Sequence, residues 1–581
     1  MKQKRLLSLL LAGSMLAVSL TGCGNSETPQ SSETSKESTA AESTAATGDS
    51  DEEASTEEAF DPRSITEGVT LTVAMPENVK ISDFETNSTT LAIEEALGVN
   101  LEFMTFPAAD YQQKINVMVM GGDKLPDIIM NGTSSKSDWS GWIAEEVLLP
   151  LDEYYADPDM AANIMAASEE TGIDIASALT MADGHIYYLP KFGQSVNAEV
   201  YSRLWVYEPW LDAIGKDIPT TTEEFYEVCK LISETDLNGN GKKDEIALGG
   251  YGTTNWFGCL MSAFVYAHDT EYRIVEDGKV GYAFTTDAWK EGLKYIKRFF
   301  DEGLIPLETL TQASEQHEAQ LYSDVQTVFS FAGYNPLETK GSQWRLDFEC
   351  LMPLEGPEGE ANAMYRPALP KLGAAISVDC ENPEAAFLVC DFLCSEEMGI
   401  TARWGKRGVN WDYWEEANES LMAGTKSEYA AYTPGRDIYL IAYDDSAFWG
   451  GTEPQNDSWL QQGCYVWSDK IYGGRATKVT GLTEEEEISL AIGNEMNTVI
   501  EKLHDYVPEE VIDNAPLTTE EIESIADAKS TLSSYVTESI GKFLTGAWDI
   551  DTEWDNYLKE LENIGYKDVL AVYQTGYDRT H

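Results

Sequence analysis

The ten residues from Asp236 to Glu245 carry oxygen atoms at a spacing that suits a hard metal ion. Aspartate or asparagine recurs at every second position from Asp236, and Gly241 then permits the tight turn that would wrap the chain around an ion. Carboxylate, amide and backbone oxygens are the ligands that Ca2+ prefers. The sequence therefore predicts a structural calcium site made by Asp236, Asn238, Asn240, Lys242, Asp244 and Glu245.

This spacing matches the start of an EF-hand loop and departs from it at the end. An EF-hand takes a glutamate at its twelfth position, and that position here is Ala247. A calcium shell must therefore close early, through Asp244 and Glu245. The alternative is a turn rich in asparagine and glycine with solvated charges, because such residues form turns without a metal.

A helix is expected to position this loop. Thr221 suits the N-cap of a helix over 222–234, and Glu224 is placed to complete a capping box. The loop then starts just past the C-terminus of that helix, where backbone carbonyls favour a cation. This position indicates a structural pin rather than an active centre.

The first part of the folded chain alternates strand and helix patterns. Strands are predicted over 69–74, 100–106 and 127–130, with helices over 89–97 and 111–120 between them. This order is typical of an α/β domain with a parallel sheet. Further strands are predicted over 186–190, 202–206 and 325–332, and further helices over 289–300 and 382–393.

The charge balance restricts the possible partners. Lys plus Arg number 39 and Asp plus Glu 101, which gives a net charge of −62 over 581 residues. Such a chain repels nucleic acid and anionic membrane surfaces. The same charge disfavours a polyanionic partner, unless a local basic pocket overrides the field.

Residues 1–23 have the pattern of an export signal, with a basic start, an apolar run from Leu6 to Leu20, and then Leu20-Thr21-Gly22-Cys23. The last four residues resemble a bacterial lipobox, which implies cleavage before Cys23, lipidation of its sulfur and anchoring at the extracellular face of the cell membrane. The alternative is an ordinary cleaved signal. Residues 24–65 are rich in Ser, Thr, Ala and acidic residues, which predicts a disordered tether.

Motifs for several kinds of catalysis are missing from the sequence. It contains no His-Glu-x-x-His, no Gly-x-Ser-x-Gly and no phosphate loop, and its five histidines are scattered. Peptidase, esterase and nucleotide chemistry are therefore disfavoured. The seven cysteines after Cys23 are odd in number and irregularly spaced, so we expect mostly buried thiols rather than a disulfide framework.

Several stretches, in this order and behind a lipobox, carry a family resemblance. They are 121–129 (Gly-Gly-Asp-Lys-Leu-Pro-Asp-Ile-Ile), 204–225, 236–245, 382–386 (Asn-Pro-Glu-Ala-Ala), 403–411, 542–546, and Trp554, Tyr557, Gly565 and 577–579. With them the chain resembles the family 1 extracellular solute-binding lipoproteins of ABC importers, in particular the long calcium-containing type similar to alginate- and oligosaccharide-binding proteins.

The resemblance implies a two-lobed α/β fold of the periplasmic-binding-protein type II kind, with a ligand cleft between the lobes. Lobe one is expected to take 66–200 and 318–368, and lobe two 201–317 and 369–581. The chain departs from many relatives at Tyr207-Glu208-Pro209 and at Gly405-Lys406-Arg407-Gly408. The ligand therefore cannot be copied from a relative.

A sugar cleft needs flat aromatic rings and short polar groups. The candidates are residues in loops after strands, beside glycines or in family turns, and for each of them packing in the core is the alternative. They are Asp123, Trp256, Tyr334, Asn335, Arg366, Trp404 and Trp449. Trp289, by contrast, has the helical spacing of a core residue.

The leading hypothesis is a monomeric, lipid-anchored protein that binds an oligosaccharide and delivers it to the transmembrane subunits of an ABC permease, without catalysis. Only the lipid anchor would contact the membrane. One alternative is a surface glycan-binding or sensory lipoprotein without transport. Another is an exported glycoside hydrolase, which needs two carboxyl groups in one cleft.

Overall fold

The computed structural model describes most of the chain after residue 59, and Phe60–His581 clusters as one unit. The described ranges are 60–131, 141–195, 199–266, 271–336, 345–413, 438–440, 454–468, 476–477, 499–500, 502–512 and 515–581. The predictions for Cys23, for the signal and the tether up to residue 59, and for Trp449 fall outside the described residues.

The strands of the described residues form two principal sheets and two small ones. In chain order they are β1 Thr70–Pro76, β2 Asn100–Phe106, β3 Ile128–Met130, β4 Tyr188–Gly193, β5 Arg203–Tyr207, β6 Ile246–Gly249, β7 Arg273–Glu276, β8 Lys279–Tyr282, β9 Val328–Gly333, β10 Phe348–Cys350, β11 Lys371–Ile376, β12 Trp411–Tyr413, β13 Ile438–Leu440, β14 Tyr465–Trp467 and β15 Ala476–Thr477.

The helices cover the faces of these sheets. They are Arg63–Thr66, Ser88–Leu97, Tyr111–Gly121, Asp152–Ala156, Ala162–Thr171, Ile175–Leu179, Glu208–Ile214, Thr222–Ser233, Asn255–Met261, Asp287–Asp301, Ser314–Leu321, Pro383–Leu393, Glu396–Trp404, Thr519–Leu544, Ile550–Ile564 and Tyr566–Tyr577. Among the described residues, no helix has both the length and the apolar character needed to cross a bilayer.

Lobe one is built on a sheet of six described strands in the order β14-β4-β11-β3-β1-β2. The predicted strand–helix–strand order is confirmed, since β1 pairs in parallel with both β2 and β3. The sheet is mixed rather than parallel, because β11 enters from a distant part of the chain and runs antiparallel to β3 and β4. Its core includes the fully buried residues Leu71, Ile93 and Phe387.

Lobe two is built on a sheet of four described strands in the order β10-β5-β9-β6. The amphipathic helices Thr222–Ser233 and Asp287–Asp301 bury their apolar faces in its core. Trp289 is fully buried there, as its spacing predicts. The C-terminal helices contribute Phe543, Trp554 and Tyr557 to the same core.

The sheets divide the chain differently from the predicted lobe ranges. Strand β9, expected in lobe one, pairs with β5 and β6 of lobe two. Strands β11 and β14, expected in lobe two, pair with β4 of lobe one. The sequence supplies strand propensity for these segments and no signal for their partners, because pairing is decided by contacts distant in sequence.

Two connectors join the sheets. The first runs from β4 to β5 over 194–202, with 196–198 outside the described residues, and the second runs from β10 to β11 over 351–370. They pair with each other, since Ser202 forms an antiparallel bridge with Met364 and the Arg366 N–H donates a 2.6 Å hydrogen bond to the Glu199 carbonyl. These two crossings between the lobes therefore lie side by side.

Candidate functional site

The connectors identify which edge of each sheet borders the two crossings. The first leaves the carboxyl end of β4 and enters the amino end of β5, and the second leaves the carboxyl end of β10 and enters the amino end of β11. The carboxyl ends of β1 and β3 lie on the same edge as that of β4, and the carboxyl ends of β6 and β9 on the same edge as that of β10. In open α/β sheets, ligands bind outside the carboxyl ends of strands.

On the lobe-one edge, Lys191 is held between two strands. Its ammonium donates a 2.7 Å hydrogen bond to Asn131 Oδ1, and it lies 6.0 Å from the centre of the Tyr465 ring. Asn131 follows β3 with a positive φ of 48°, an uncommon conformation for which asparagine is suited. Burial lowers the pKa of Lys191 to about 8, against an upward contribution from the neighbouring Cys464, and Lys371 lowers it further.

An aromatic cluster continues from Tyr465 along the same edge. The Tyr465 and Trp467 rings stack at 4.4 Å, and the Trp404 ring lies 5.8 Å from that of Trp467. The guanidinium of Arg403 lies 4.8 Å from the centre of the Trp404 ring, within reach of a cation–π interaction. Gly193 makes the approach possible, because a Cβ atom there would lie 2.2 Å from Trp467 Nε1.

On the lobe-two edge, two tyrosines form a platform. The ring of Tyr201, 48% exposed, lies 5.4 Å from that of Tyr334. The buried Arg203 guanidinium lies 5.4 Å from the centre of the Tyr334 ring, and burial lowers the pKa of Arg203. The Trp205 indole donates to the carbonyl of Gly333, which fixes the end of β9 from which Tyr334 follows.

The predicted residues Tyr334 and Asn335 lie on this edge and are half-buried. Arg366 lies in the second connector and is exposed, which puts it at the two crossings. These three predicted positions are therefore brought together by the topology. Direct contact with a ligand stays a prediction for each of them.

Trp256 and Trp404 are core residues, each 1% exposed. Trp256 begins a helix rather than standing in a loop, and it packs against Phe257 and Phe300 while its indole donates to the Gly252 carbonyl. Trp404 ends a helix under the aromatic cluster. Trp256 was predicted from a glycine-containing loop after a strand and Trp404 from its place beside Gly405, and in both cases the ring is buried in the core instead.

Asp123 lies at the other end of its strand. It precedes β3, whereas Asn131 follows β3 at the carboxyl edge. The turn is held there by the Leu125 N–H, which donates to Asp379, and by Asp127, which accepts from Thr72. The topology therefore separates Asp123 from the other candidates.

The loop predicted to bind calcium joins the helix Thr222–Ser233 to β6 in lobe two. The capping box of Thr221 and Glu224 is present, as the sequence predicts. The loop is shaped by hydrogen bonds to side-chain oxygens: Gly241 N–H donates to Asp236, Asn240 N–H to Asn238 and Lys242 N–H to Asn240, at 2.8–3.0 Å.

Asp244 and Glu245 close the loop from its far end. The amide groups of Asn238 and Asn240 donate to Asp244, and these bonds lower the pKa of Asp244. Glu245 is 7% exposed, and its Oε1 accepts from the N–H groups of Leu237 and Asn238. Its buried Oε2 has no hydrogen-bond partner among the described residues. A buried carboxylate oxygen of this kind normally meets an ion or water.

The fit of these residues to a hard cation is therefore good in donor type and incomplete in arrangement. Among the described residues, no three His, Cys, Asp or Glu side chains converge as a metal site would require. The loop instead offers two asparagine amides and a backbone turn besides its carboxylates. A cavity of about 220 Å3 beside Asp391 is lined by no residue of either sheet edge and lies outside this site.

Sequence reasoning missed Lys191, Tyr465, Tyr201 and Arg203. Lys191 directly follows the predicted strand end at Pro190, so the rule that places sites after strands contains a signal for it. Arg203 stands at the start of its strand, and Tyr465 in a segment with little strand signal. Arg203 and Tyr465 are brought to the site only by the pairing of their strands with β9 and β4.

Comparisons with known proteins identify the family of this chain. The sequence model of a family described as bacterial extracellular solute-binding protein matches residues 86–400, more than half of the chain. The fructooligosaccharide ABC transporter substrate-binding protein FusA of Streptococcus pneumoniae is 24% identical over 511 residues, covering 84% of this chain and 86% of FusA. Lipoprotein LipO of Bacillus subtilis is 22% identical over 443 residues, covering 73% of this chain and 77% of LipO.

Solved structures of similar proteins have the same fold. A FusA EF-hand mutant in complex with fructo-nystose superposes with a TM-score of 0.63 at 22% identity, covering 88% of this chain and 99% of the other. An HMO-binding, ABC-transporter-associated solute-binding protein of Bifidobacterium longum infantis gives a TM-score of 0.69 at 18% identity, with coverage of 88% and 99%. The predicted two-lobed α/β fold with a cleft between the lobes is thereby confirmed.

Proposed function

Because the chain belongs to the bacterial extracellular solute-binding protein family, we propose that it captures an oligosaccharide outside the cell and delivers it to the transmembrane subunits of an ABC importer. It binds the sugar without changing it and acts as a monomer. One observation carries the proposal: the paired connectors border one edge of each sheet. The lobe-two edge has a tyrosine platform, and the lobe-one edge has a lysine and aromatic rings.

The chemistry of the two edges suits a sugar. A sugar ring presents C–H faces to aromatic rings and hydroxyl groups to polar side chains. Tyr201 offers an exposed ring, and Lys191 and Asn131 offer a donor and an amide. The names of FusA and of the HMO-binding protein support a carbohydrate ligand.

The two connectors provide the hinge in this proposal. A ligand that contacts both edges favours the closed arrangement of the lobes, because it gains contacts there that the open arrangement lacks. The permease then recognises the closed, loaded protein. Residues Tyr334, Asn335 and Arg366 are expected to contact the ligand from lobe two and the hinge.

We further propose that the 236–245 loop holds a structural Ca2+. Asp236, Asn238, Asn240, Lys242 through its backbone, Asp244 and Glu245 would supply the oxygens. The unpartnered Glu245 Oε2 and the name of the FusA EF-hand mutant support this assignment. Bound there, the ion would neutralise carboxylates and fix the connection from the helix Thr222–Ser233 to β6.

Lipidation of Cys23 would anchor the protein at the extracellular face of the cell membrane. The pattern of residues 1–23 and the name of LipO support this proposal. The acidic segment that follows would then keep the folded body away from the membrane. A net charge of −62 argues against binding to nucleic acid.

Calorimetry of the purified body against a panel of oligosaccharides tests the proposed function, with chromatography of the sugar after each titration. We expect saturable binding and recovery of intact sugar. Tyr201→Ala should weaken binding roughly tenfold, since a stacking ring is worth about 1 kcal/mol or more, and Tyr201→Phe should retain it. Tyr322→Ala removes a ring 37% exposed elsewhere on lobe two and serves as the control.

Recovery of shortened sugar would identify a glycoside hydrolase and contradict the proposal. Equal affinities for Tyr201→Ala and Tyr322→Ala would remove the tyrosine platform from the site. Loss of growth on the bound sugar after deletion of the protein, with restoration by the wild type, would distinguish import from sensing.

A further inference from the structure

Three residues form a row across neighbouring strands at the lobe-one edge. Lys191 of β4 is the direct partner of Tyr465 on β14 and of Lys371 on β11. Directly opposed residues point to the same face of a sheet. The ammonium groups of two lysines and the ring of a tyrosine therefore share one surface, next to Asn131.

This row is costly for the folded protein. Like charges directly opposite each other in a sheet are destabilising, and a half-buried ammonium loses hydration. Although the chain has 101 acidic residues, neither lysine forms an ion pair with any residue that the structure describes. Lys191 instead has an amide oxygen and an aromatic ring as partners. A charge that has no counter-charge among the described residues of so acidic a chain points to an anion that binds there.

The neighbours of this row suit a bound sugar better than an internal salt bridge. Tyr465 stacks on Trp467, whose buried indole N–H has no acceptor among the described residues and lies against Gly193. The nearby carboxylate of Glu170 accepts a 3.3 Å hydrogen bond from the Ser468 hydroxyl, just after β14, and forms no ion pair with either lysine. Two cations and a flat ring are thus adjacent.

We infer that this row is a subsite for a carboxylate-bearing sugar, so that the oligosaccharide this protein captures is acidic. The inference rests on the proposed function and narrows its substrate class. Lys191 supplies the charge at short range, Lys371 adds to it from the exposed end, and Tyr465 stacks on the face of the ring. The row is also the local basic pocket that a chain of this charge requires for an anionic partner.

The test compares sugars that differ only in charge. An oligogalacturonate and its fully methyl-esterified form are titrated into the wild-type protein in a calorimeter at low and high salt. We expect the acid to bind at least about tenfold more tightly than the ester, and its affinity to fall with salt, because a charge–charge contact is screened.

The variants separate Lys191 from general charge effects. Lys191→Met keeps the aliphatic stem and removes the charge, and we expect it to weaken oligogalacturonate binding roughly tenfold or more. Lys114→Met removes an exposed charge from the helix Tyr111–Gly121 of the same lobe and should leave the affinity within about twofold. Because Lys191 is unfavourable in the fold, Lys191→Met should also melt at a higher temperature than the wild type.

The outcomes are distinguishable. Equal binding of acid and ester, binding of neutral sugars alone, or an unchanged affinity in Lys191→Met would overturn the inference and leave the proposed function intact. A lower melting temperature for Lys191→Met would show that Lys191 stabilises the fold and would also overturn it. Failure of every sugar, charged or neutral, to bind the folded wild type would overturn the proposed function itself.

Discussion

The backbone N–H of Arg366 lies 2.6 Å from the carbonyl oxygen of Glu199, and this hydrogen bond ties the two connectors together. Glu199 and Arg366 are 167 positions apart in the chain, so this bond joins segments that only the tertiary fold brings together. The connectors thus form a paired hinge rather than two independent linkers. The connectors of this hinge run directly into the two sheet edges that carry the candidate ligand residues.

Arg366→Pro removes the hinge donor and is expected to lower the free energy of unfolding by about 1–3 kcal/mol, because the Glu199 carbonyl loses its partner. Sugar affinity should weaken with it. Arg366→Ala keeps the N–H group and is the matched control. Urea unfolding of the two variants checks the difference, and equal stabilities would show that the hydrogen bond contributes nothing.

Removal of calcium should destabilise lobe two. A chelator is expected to lower the melting temperature of the wild type, since an ion at a hundred times its dissociation constant stabilises the fold by about 2.7 kcal/mol. Glu245→Gln should melt lower and respond less to the chelator. Asp217→Asn is the control, because Asp217 is an exposed carboxylate before the helix Thr222–Ser233 and outside the loop. A melt that ignores the chelator, with no calcium found by elemental analysis, would contradict the metal assignment.

Trp256→Ala is expected to lower the free energy of unfolding by about 3–5 kcal/mol, because it empties a fully buried site between Phe257 and Phe300. Tyr201→Ala should have the opposite profile, with nearly unchanged stability and weaker sugar binding. Chemical denaturation and calorimetry on both variants check this contrast. A stable Trp256→Ala protein with lost binding would return Trp256 to the ligand site.

Asp391 should make stability depend on pH between about 4 and 6. Burial raises its pKa to about 6, against hydrogen bonds from Ile164 and Asn163 that lower it. The folded state therefore holds the proton where the unfolded state has released it, so this group's contribution to stability falls as pH rises through that window, by about 3 kcal/mol in all.

Asp391→Asn removes this titration while keeping the shape of the side chain. The stability of the variant minus that of the wild type should rise from pH 4 to pH 6 and then level off, because all other groups cancel in the difference. Guanidinium unfolding at a series of pH values measures it. A difference that stays constant with pH would show that Asp391 titrates normally.

Local patterns predicted the individual elements well. The strand Asn100–Phe106 and the helix Tyr111–Gly121 lie within one residue of their predicted bounds, because periodicity and end signals are properties of neighbouring residues. The capping box of Thr221 and Glu224 follows from a spacing of three residues. The family resemblance, built from stretches in a fixed order, likewise needed no tertiary information.

The candidate site was predicted only in part, and the reason is burial. A tryptophan near a glycine looks the same in sequence whether its ring faces a cleft or packs in the core. Trp256 and Trp404 both pack in the core. Tyr334 and Asn335 were predicted because they follow a strand beside a glycine, and that strand ends at the edge next to the connectors. Lys191 follows a predicted strand end, but nothing local to it indicates its partners Tyr465 and Lys371.

The sequence by itself determined the class of the fold, many of its strands and helices, the oxygen-rich loop and the family. Only the tertiary structure decided which lobe holds β9 and β11, and that Lys191 stands between Tyr465 and Lys371. Sequence periodicity specifies which face of a strand is buried, whereas strand order depends on contacts between segments hundreds of residues apart. The row of charges at the lobe-one edge exists only through that order.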